Sequence, residues 1–371
     1  MAELPGKKGA AEPAEGIRLY FHLGTEKTGS SFLQSVFALN RPTLATQGLW
    51  FPEGKRWSEA QMRKGDISAG NGEWLLALLQ AADWPGVEAY LNHVLAEAGA
   101  AGCRQIVFSS ELLLPLMAEP ERMDRLNRML ASMKVASASV LVFLREPVSQ
   151  ILSLYRHRAK RGTAGSFGDW ALAGYTLPKE LAGLEQGLET AGWTLQARAY
   201  RRDPAHLLEA CFRDWLGIEP PTDWPRQPVN PSLTLSEVEL LRHFRNLDPF
   251  CVSELHAGLV TVPAESKPAP GSFEHRLRAE AAAIVQQYGD FWAQWLDRLP
   301  ADERFAIPPA VDEDIQGQPA LSLGPAQLQA LADSLARASS PAGRIRLRWQ
   351  HAVRPRLGRL VRAILPEGRP W

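Results

Sequence analysis

The stretch that decides the fold is residues 17–40, IRLYFHLGTEKTGSSFLQSVFALN. Ile17 to Leu23 is an apolar run of β type that breaks at Gly24. After a short loop, apolar residues return at helical spacing at Phe32, Leu33, Val36 and Phe37. The reading is strand, tight loop, helix. Such a loop presents backbone N–H groups and the positive end of a helix dipole to whatever lies above it, which suits an anion. Gly24 and Gly29 let the backbone turn and approach a ligand closely, and Lys27 adds a point charge. Thr28, Ser30 and Ser31 complete the cradle as helix-capping residues or donors to phosphate oxygens.

The spacing says which kind of phosphate cradle this is. A nucleoside-triphosphate loop reads G-x-x-x-x-G-K-[ST], with Lys directly after the second Gly, whereas Lys27 comes before Gly29. The chain departs from the ATP/GTP pattern. The loop closely resembles the 5′-phosphosulfate-binding loop of sulfotransferases that use 3′-phosphoadenosine 5′-phosphosulfate (PAPS), in particular the bacterial branch whose first loop reads like GTxKTGTT.

A second informative stretch is SASVLVFLREPVSQILSLYRHRAKRG, residues 137–162. Ser139 to Leu144 is nearly continuously apolar, as expected of a parallel strand buried on both faces. Arg145 ends the strand, and Pro147 starts a helix where proline is tolerated. A guanidinium fork at a strand end and the Ser153 hydroxyl on the following helix suit a second phosphate held bidentately. The same residues in isolation fit an Arg at a sheet edge and a neutral helical Ser. In the sulfotransferase family an Arg followed eight residues later by a Ser is the 3′-phosphate element, and Arg145 and Ser153 match it. Together the two elements imply PAPS as co-substrate, with a phosphosulfate at one end and a 3′-phosphate at the other.

Composition sets the outer bounds. The chain has 371 residues, 45% hydrophobic and 22% charged, enough for one large α/β domain with a helical annex. Net charge is zero, so no global field points to nucleic acid and an anion site must be built locally. Cys103, Cys211 and Cys251 lie far apart with no paired spacing, which argues against a zinc framework and a disulfide scaffold and for a reducing, cytoplasmic home. No metal is expected. Residues 1–16 read as a disordered leader without the apolar core of a signal peptide, and no segment is apolar enough to span a bilayer.

Between the two motifs, Leu49 to Phe51 is a short extended run with Glu53 at its exit, and Arg56 to Asn71 reads as a polar, irregular, mobile loop near the site. Residues 104–110 form a strand that ends at Glu111. A carboxylate at the carboxyl end of such a strand is placed either to meet a ligand or to favour the dipole of the next helix. Residues 193–202 alternate as a further strand before a helix at His206–Leu216. The resemblance covers roughly Ile17 to Arg245, including the segment that starts Asn230-Pro-Ser and the helix from Glu237.

Beyond this α/β domain, residues 17–250, the chain changes character. Residues 251–342 read as a helical annex with Pro-rich loops, in which Phe273–Leu299 is one long helical pattern whose aromatics fit core packing. Residues 343–371 form a basic amphipathic segment with seven arginines between 344 and 362, divided by Pro355. That composition suits either an interfacial helix at an anionic inner membrane face or a helix lying on its own domain.

The fold implied is α/β, a three-layer sandwich around a central, mainly parallel sheet of the P-loop NTPase-like kind. The activity implied by the resemblance is transfer of the sulfuryl group of PAPS to a hydroxyl, with a carbohydrate or glycolipid as acceptor. Its cofactor-binding residues are Lys27, Thr28, Gly29, Ser30, Ser31, Arg145 and Ser153. Lys27 is also catalytic, with Glu111 first and Glu53 second as the base; His22, inside the first strand, and His157, along a helix, are worse placed. The alternatives are an ATP-dependent small-molecule kinase of related fold, disfavoured by the displaced Lys, and a nucleotide-binding protein without chemistry.

Overall fold

The computed structural model describes residues 16–161, 165–224, 233–247, 252–309 and 320–340. The expected leader, the Asn230-Pro-Ser start and the basic segment 343–371 lie outside them. Two compact units, each discontinuous in sequence, make up the chain. The first draws on Met1–Arg145, Thr176–Val229 and Asp290–Phe305, the second on Glu146–Tyr175, Asn230–Gly289 and Ala306–Trp371.

The first unit holds a five-stranded sheet of β1 (Ile17–His22), β2 (Leu49–Trp50), β3 (Gln105–Ser109), β4 (Val135–Leu144) and β5 (Thr194–Ala199), in the order β2-β3-β1-β4-β5. Every pairing is parallel. The expected α/β architecture is therefore present, with β1 at the centre and a crossover above it between β3 and β4. In open parallel sheets such a switch point is where strand-end loops diverge and leave a crevice.

Helices cover both faces of this sheet. On one face the Ser30–Leu39 helix and the segment 204–216 bring Leu33, Val36, Phe37, Phe212 and Trp215 against Tyr20, Val107, Leu141 and Phe143 of the strands. Phe37 stacks on Phe51 with centroids 4.9 Å apart. On the other face Phe21 stacks on Phe108 and Trp193, Tyr90 of the Trp84–Ala100 helix meets Phe108, and Trp193 Nε1 donates to Asn127 of the Pro120–Ser132 helix at 2.9 Å. Burying these large aromatics together with the core's leucines and valines supplies the unit's hydrophobic stabilisation.

Three local readings change. Arg56–Lys64 is a helix, although its sequence is polar, because it is held from outside. Arg41 donates to Glu59 Oε2 at 2.7 Å and to the Phe51 carbonyl at 2.9 Å, and Gly65 closes the helix at φ 77°. The rest of the supposed mobile loop, residues 65–72, is a strap tied to the sheet. Asn71 Nδ2 donates to Val107 O at 2.8 Å, while Asn71 Oδ1 accepts from Ser109 N at 2.7 Å. Its side chain thus continues the ladder on β3 beyond the point where β2 stops. Finally, the pattern 273–299 is two helices, Ser272–Gln286 and Gly289–Asp297, with the break just ahead of Gly289. Trp292 and Trp295 are buried, as core packing requires.

The second unit is helical, with its longest described members at Pro147–Arg161, Leu235–Leu247, Ser272–Gln286 and Pro325–Ser339. A buried carboxylate ties it together: Glu237 accepts from Lys267 Nζ at 2.9 Å, Gln327 Nε2 at 2.6 Å and Thr234 N at 2.6 Å. Among the described residues of the chain no helix is long and apolar enough to cross a membrane.

Asn71→Ala should cost about 2–4 kcal/mol, because it strands a buried N–H on Ser109 and a buried carbonyl on Val107. Urea denaturation followed by near-UV signals of the sheet aromatics checks this, and a loss below about 0.5 kcal/mol would mean that the strap is not fastened through Asn71.

Candidate active site

The crevice at the carboxyl ends of β3, β1 and β4 is built by their three exit loops. The loop after β1 is fastened on both sides: Leu23 N donates to Leu141 O at 3.0 Å, and Ser110 N donates to His22 O at 3.1 Å. Thr25 Oγ1 adds a bond to Phe143 O at 2.7 Å. The Thr28 hydroxyl turns inward to the Thr25 carbonyl, so Thr28 offers an anion its amide rather than its side chain.

Two residues of the loop are left-handed. Gly29, at φ 83°, is the residue before the Ser30–Leu39 helix, and a Cβ there would lie 2.9 Å from Leu207 and 3.2 Å from the Tyr200 ring. Lys27 adopts φ 72°, a conformation that costs a non-glycine residue on the order of 1 kcal/mol. The helix start carries neither a side-chain cap nor an acid in its first turn. Its leading N–H groups therefore have neither a side-chain cap nor an acid in their own turn, an arrangement that suits an anion. Ser30 is buried beneath them, and its Oγ has no hydrogen-bond partner among the described residues. Ser31 is half-buried.

Glu111 belongs to this loop's surroundings. It opens a short 3-10 turn directly after β3, half-buried, and its Cγ lies 3.0 Å from the position a Cβ on Gly24 would take. The same Cβ would overlap Ser30 Oγ at 2.0 Å, so the carboxylate stem and the helix start are packed across a glycine where a larger residue would push the Ser30 or Glu111 side chain aside. Glu53 stands apart from this contact. It is exposed, and the adjacent Gly54 packs on Gly70 and Asn71 of the strap.

On the other side of the loop, Arg145 leaves β4 with Nη1 3.4 Å from the Lys27 carbonyl and its guanidinium carbon 5.9 Å from the Tyr200 ring centre. A cation is thus held between loop and aromatic ring at the end of the strand next to β1. Ser153 is a half-buried residue of the Pro147–Arg161 helix in the second unit. At the start of that helix Glu146 accepts from Val148 N and Ser149 N, both at 2.8 Å, so a carboxylate already occupies the amides that Pro147 announced.

Below the loop lies a polar layer that spacing alone did not reveal. His22 is fully buried; its Nδ1 is 2.8 Å from Ser109 Oγ, and burial pulls its pKa down to about 4. Ser68 Oγ donates to Gln34 Oε1 at 2.7 Å, linking the strap to the first helix. The signal for the strap is the triplet Gly70-Asn71-Gly72: a Cβ on Gly70 would lie 1.9 Å from Ser109 O, and one on Gly72 3.0 Å from Ser110 Cβ.

Taken together, the strand ends bring an uncapped helix start, Lys27 in the loop, Arg145 at the loop's carbonyl and the Glu111 carboxylate stem to one place. No family model and no curated protein matches the chain. A solved sulfotransferase from Alicyclobacillus acidocaldarius is similar at 19% identity and a TM-score of 0.33, covering 64% of this chain and 93% of that one. At that identity and score, the activity has to be read from this chain's own residues.

His22 makes stability pH-dependent in one window. The unfolded chain protonates His22 near its ordinary 6.5 and the folded chain near about 4, so between these values the unfolded state binds more protons. Its contribution is intact above the upper value and is lost as the pH falls through the window, with a slope of about 1.4 kcal/mol per pH unit. Urea denaturation between neutral pH and the lower limit should show this slope in the wild type and a shallower one in His22→Gln; equal slopes would remove His22 as the acid-sensitive group.

Proposed function

We propose that this protein is a PAPS-dependent sulfotransferase that moves the sulfuryl group to a hydroxyl of a carbohydrate or glycolipid and releases 3′,5′-adenosine diphosphate. The observation that supports this reading is the presence, at the ends of adjacent strands, of two elements whose chemistry suits an anion. One is the uncapped helix start behind Gly24 and Gly29; the other is Arg145, poised at the Lys27 carbonyl. A nucleotide with phosphate at both its 5′ and 3′ positions uses both, whereas ATP needs only the first. The position of Lys27 ahead of Gly29 further separates the loop from nucleoside-triphosphate cradles.

In the proposed reaction an acceptor oxygen attacks sulfur as the bond from sulfur to the bridging phosphate oxygen breaks. The amides from Thr28 to Ser31 and the Lys27 ammonium stabilise the charge that builds on the leaving phosphate. Glu111, on the β3 side of the loop, takes the acceptor proton. Glu53, exposed beside the strap, is the second candidate for that role. Ser153 joins Arg145 at the 3′-phosphate, as the motif spacing implies. The working place is the cytoplasm, with the basic segment 343–371 in contact with an anionic inner membrane face; co-sedimentation of full-length and truncated protein with anionic vesicles tests that contact.

Two measurements test the reading. Arg145→Ala should weaken binding of 3′,5′-adenosine diphosphate by about 1.5–3 kcal/mol and leave 5′-AMP nearly unaffected, since only the former has the 3′-phosphate; calorimetry with both ligands decides it, and equal losses remove Arg145 from that role. With labelled PAPS and a glycan panel, Glu111→Gln should lower turnover by about 10²–10⁴ while nucleotide affinity holds. Near-normal turnover in both Glu111→Gln and Glu53→Gln would sink the carboxylate-base mechanism.

A further inference from the structure

Ser30 opens the Ser30–Leu39 helix, is 1% exposed, and its Oγ has no hydrogen-bond partner among the described residues. Leaving a buried hydroxyl unpaired is costly, so a donor in this position calls for an acceptor close by. The hydroxyls around it are differently placed. Thr28 is committed to the Thr25 carbonyl, Ser35 Oγ to Ser31 O at 2.8 Å and Ser68 Oγ to Gln34 Oε1 at 2.7 Å. Ser110 sets its Cβ against Gly72 of the strap rather than against the loop.

Gly24 shows which acceptor Ser30 can reach. The point that a Cβ on Gly24 would occupy lies 2.0 Å from Ser30 Oγ and 3.0 Å from Glu111 Cγ, so the two side chains meet in the space that the glycine leaves empty. The carboxylate oxygens of Glu111 lie two bonds beyond that Cγ. Rotation about the last two torsions of the side chain is enough to bring one of them to hydrogen-bond distance of Ser30 Oγ. A carboxylate on a two-methylene stem populates several rotamers, and a donor fixed at a helix start selects among them.

We propose that Ser30 is a positioning residue for Glu111: its hydroxyl donates across Gly24 to one carboxylate oxygen and leaves the other directed at the acceptor. The inference rests on the reading of Glu111 as the base. It divides the helix start between two tasks. The amides from Thr28 to Ser31 serve the anion, while the Ser30 side chain, buried beneath them, serves the carboxylate. It also gives position 24 a reason to be glycine, since a Cβ there would stand between donor and acceptor.

Ser30→Ala tests this in the full-length protein. With labelled PAPS and the glycan panel at saturation, turnover should fall about tenfold or more, whereas the same substitution in a Glu111→Ala background should change it less than about twofold, because nothing is left to position. Affinity for 3′,5′-adenosine diphosphate, by calorimetry, should stay within about twofold of wild type; a hydroxyl that served the phosphate would weaken it by about fivefold or more. In urea denaturation, which needs no substrate, the stability lost on Ser30→Ala should be at least halved in the Glu111→Ala background. If Glu111→Ala fails to fold, turnover against nucleotide affinity in Ser30→Ala decides alone. Unchanged turnover in Ser30→Ala, a fall in nucleotide affinity of that size, or additive stability losses would each overturn the proposal. A wild type that transfers nothing from PAPS, or near-normal turnover in Glu111→Gln, sinks the base reading instead, and the urea cycle then decides the contact between Ser30 and Glu111 by itself.

Discussion

Everything at the crevice depends on the register of β1 between β3 and β4. Because His22 pairs with Ser109, the last residue of β3, on one side and with Leu141 on the other, the chain leaving β1 clears the end of β3 while β4 still runs on beside it to Leu144. The bonds from Leu23 N and Thr25 Oγ1 to β4 then fix the turn before it reaches the helix. A slip of one residue in either pairing would turn Tyr20 and His22 to the opposite face and detach the loop from both neighbours. Loop geometry is thus a consequence of sheet packing. The left-handed backbone at Lys27 and Gly29 is tolerable because the residues on either side are already held.

The parts of the fold legible in the sequence were those set by local chemistry. The apolar runs at 17–23 and 139–144, the glycine-hinged loop and the arginine at a strand end each carry their signal within a few residues, and all form the expected elements. What could not be read depends on partners far along the chain. Arg56–Lys64 is too polar to announce a buried helical face, and it is held by Arg41. Residues 65–72 look like a loop by composition, yet Asn71 makes them part of the sheet. Glu146 stood inside a quoted motif, but its place as acceptor for the Val148 and Ser149 amides is visible only in three dimensions.

For the candidate site, sequence spacing singled out the loop residues, Arg145 and Glu111, and the fold gives them a common location in the first unit. It does not treat them alike. Thr28 and Ser30 turn their side chains into the protein, whereas Lys27 and Ser31 remain half-buried at the surface of the loop. Side-chain direction within a loop depends on single dihedral angles, and a motif written as letters does not carry that information. The contact between Glu111 and the Gly24 turn was equally hidden, because it depends on β3 and β1 being neighbours in space.

The two edges of the sheet obey one rule. On the β3 side, β2 pairs only at Leu49 and Trp50, and the Asn71 side chain takes up the next rungs; on the β5 side, the Glu303 carboxylate and the His206 imidazole take the rung at Ala199. In both places a side chain substitutes for a missing strand, and in both it does so toward the carboxyl end. An unpaired backbone group is most costly where neighbouring loops exclude water, and the carboxyl end is where the loops crowd. Toward the amino end of β5 a groove borders Leu195 and Ala197, whereas the Ala199 rung, two residues further on, is taken up by Glu303 and His206. Side-chain rungs of this kind also keep the edges short, so a sheet with an exposed parallel strand avoids offering a long template for unwanted pairing.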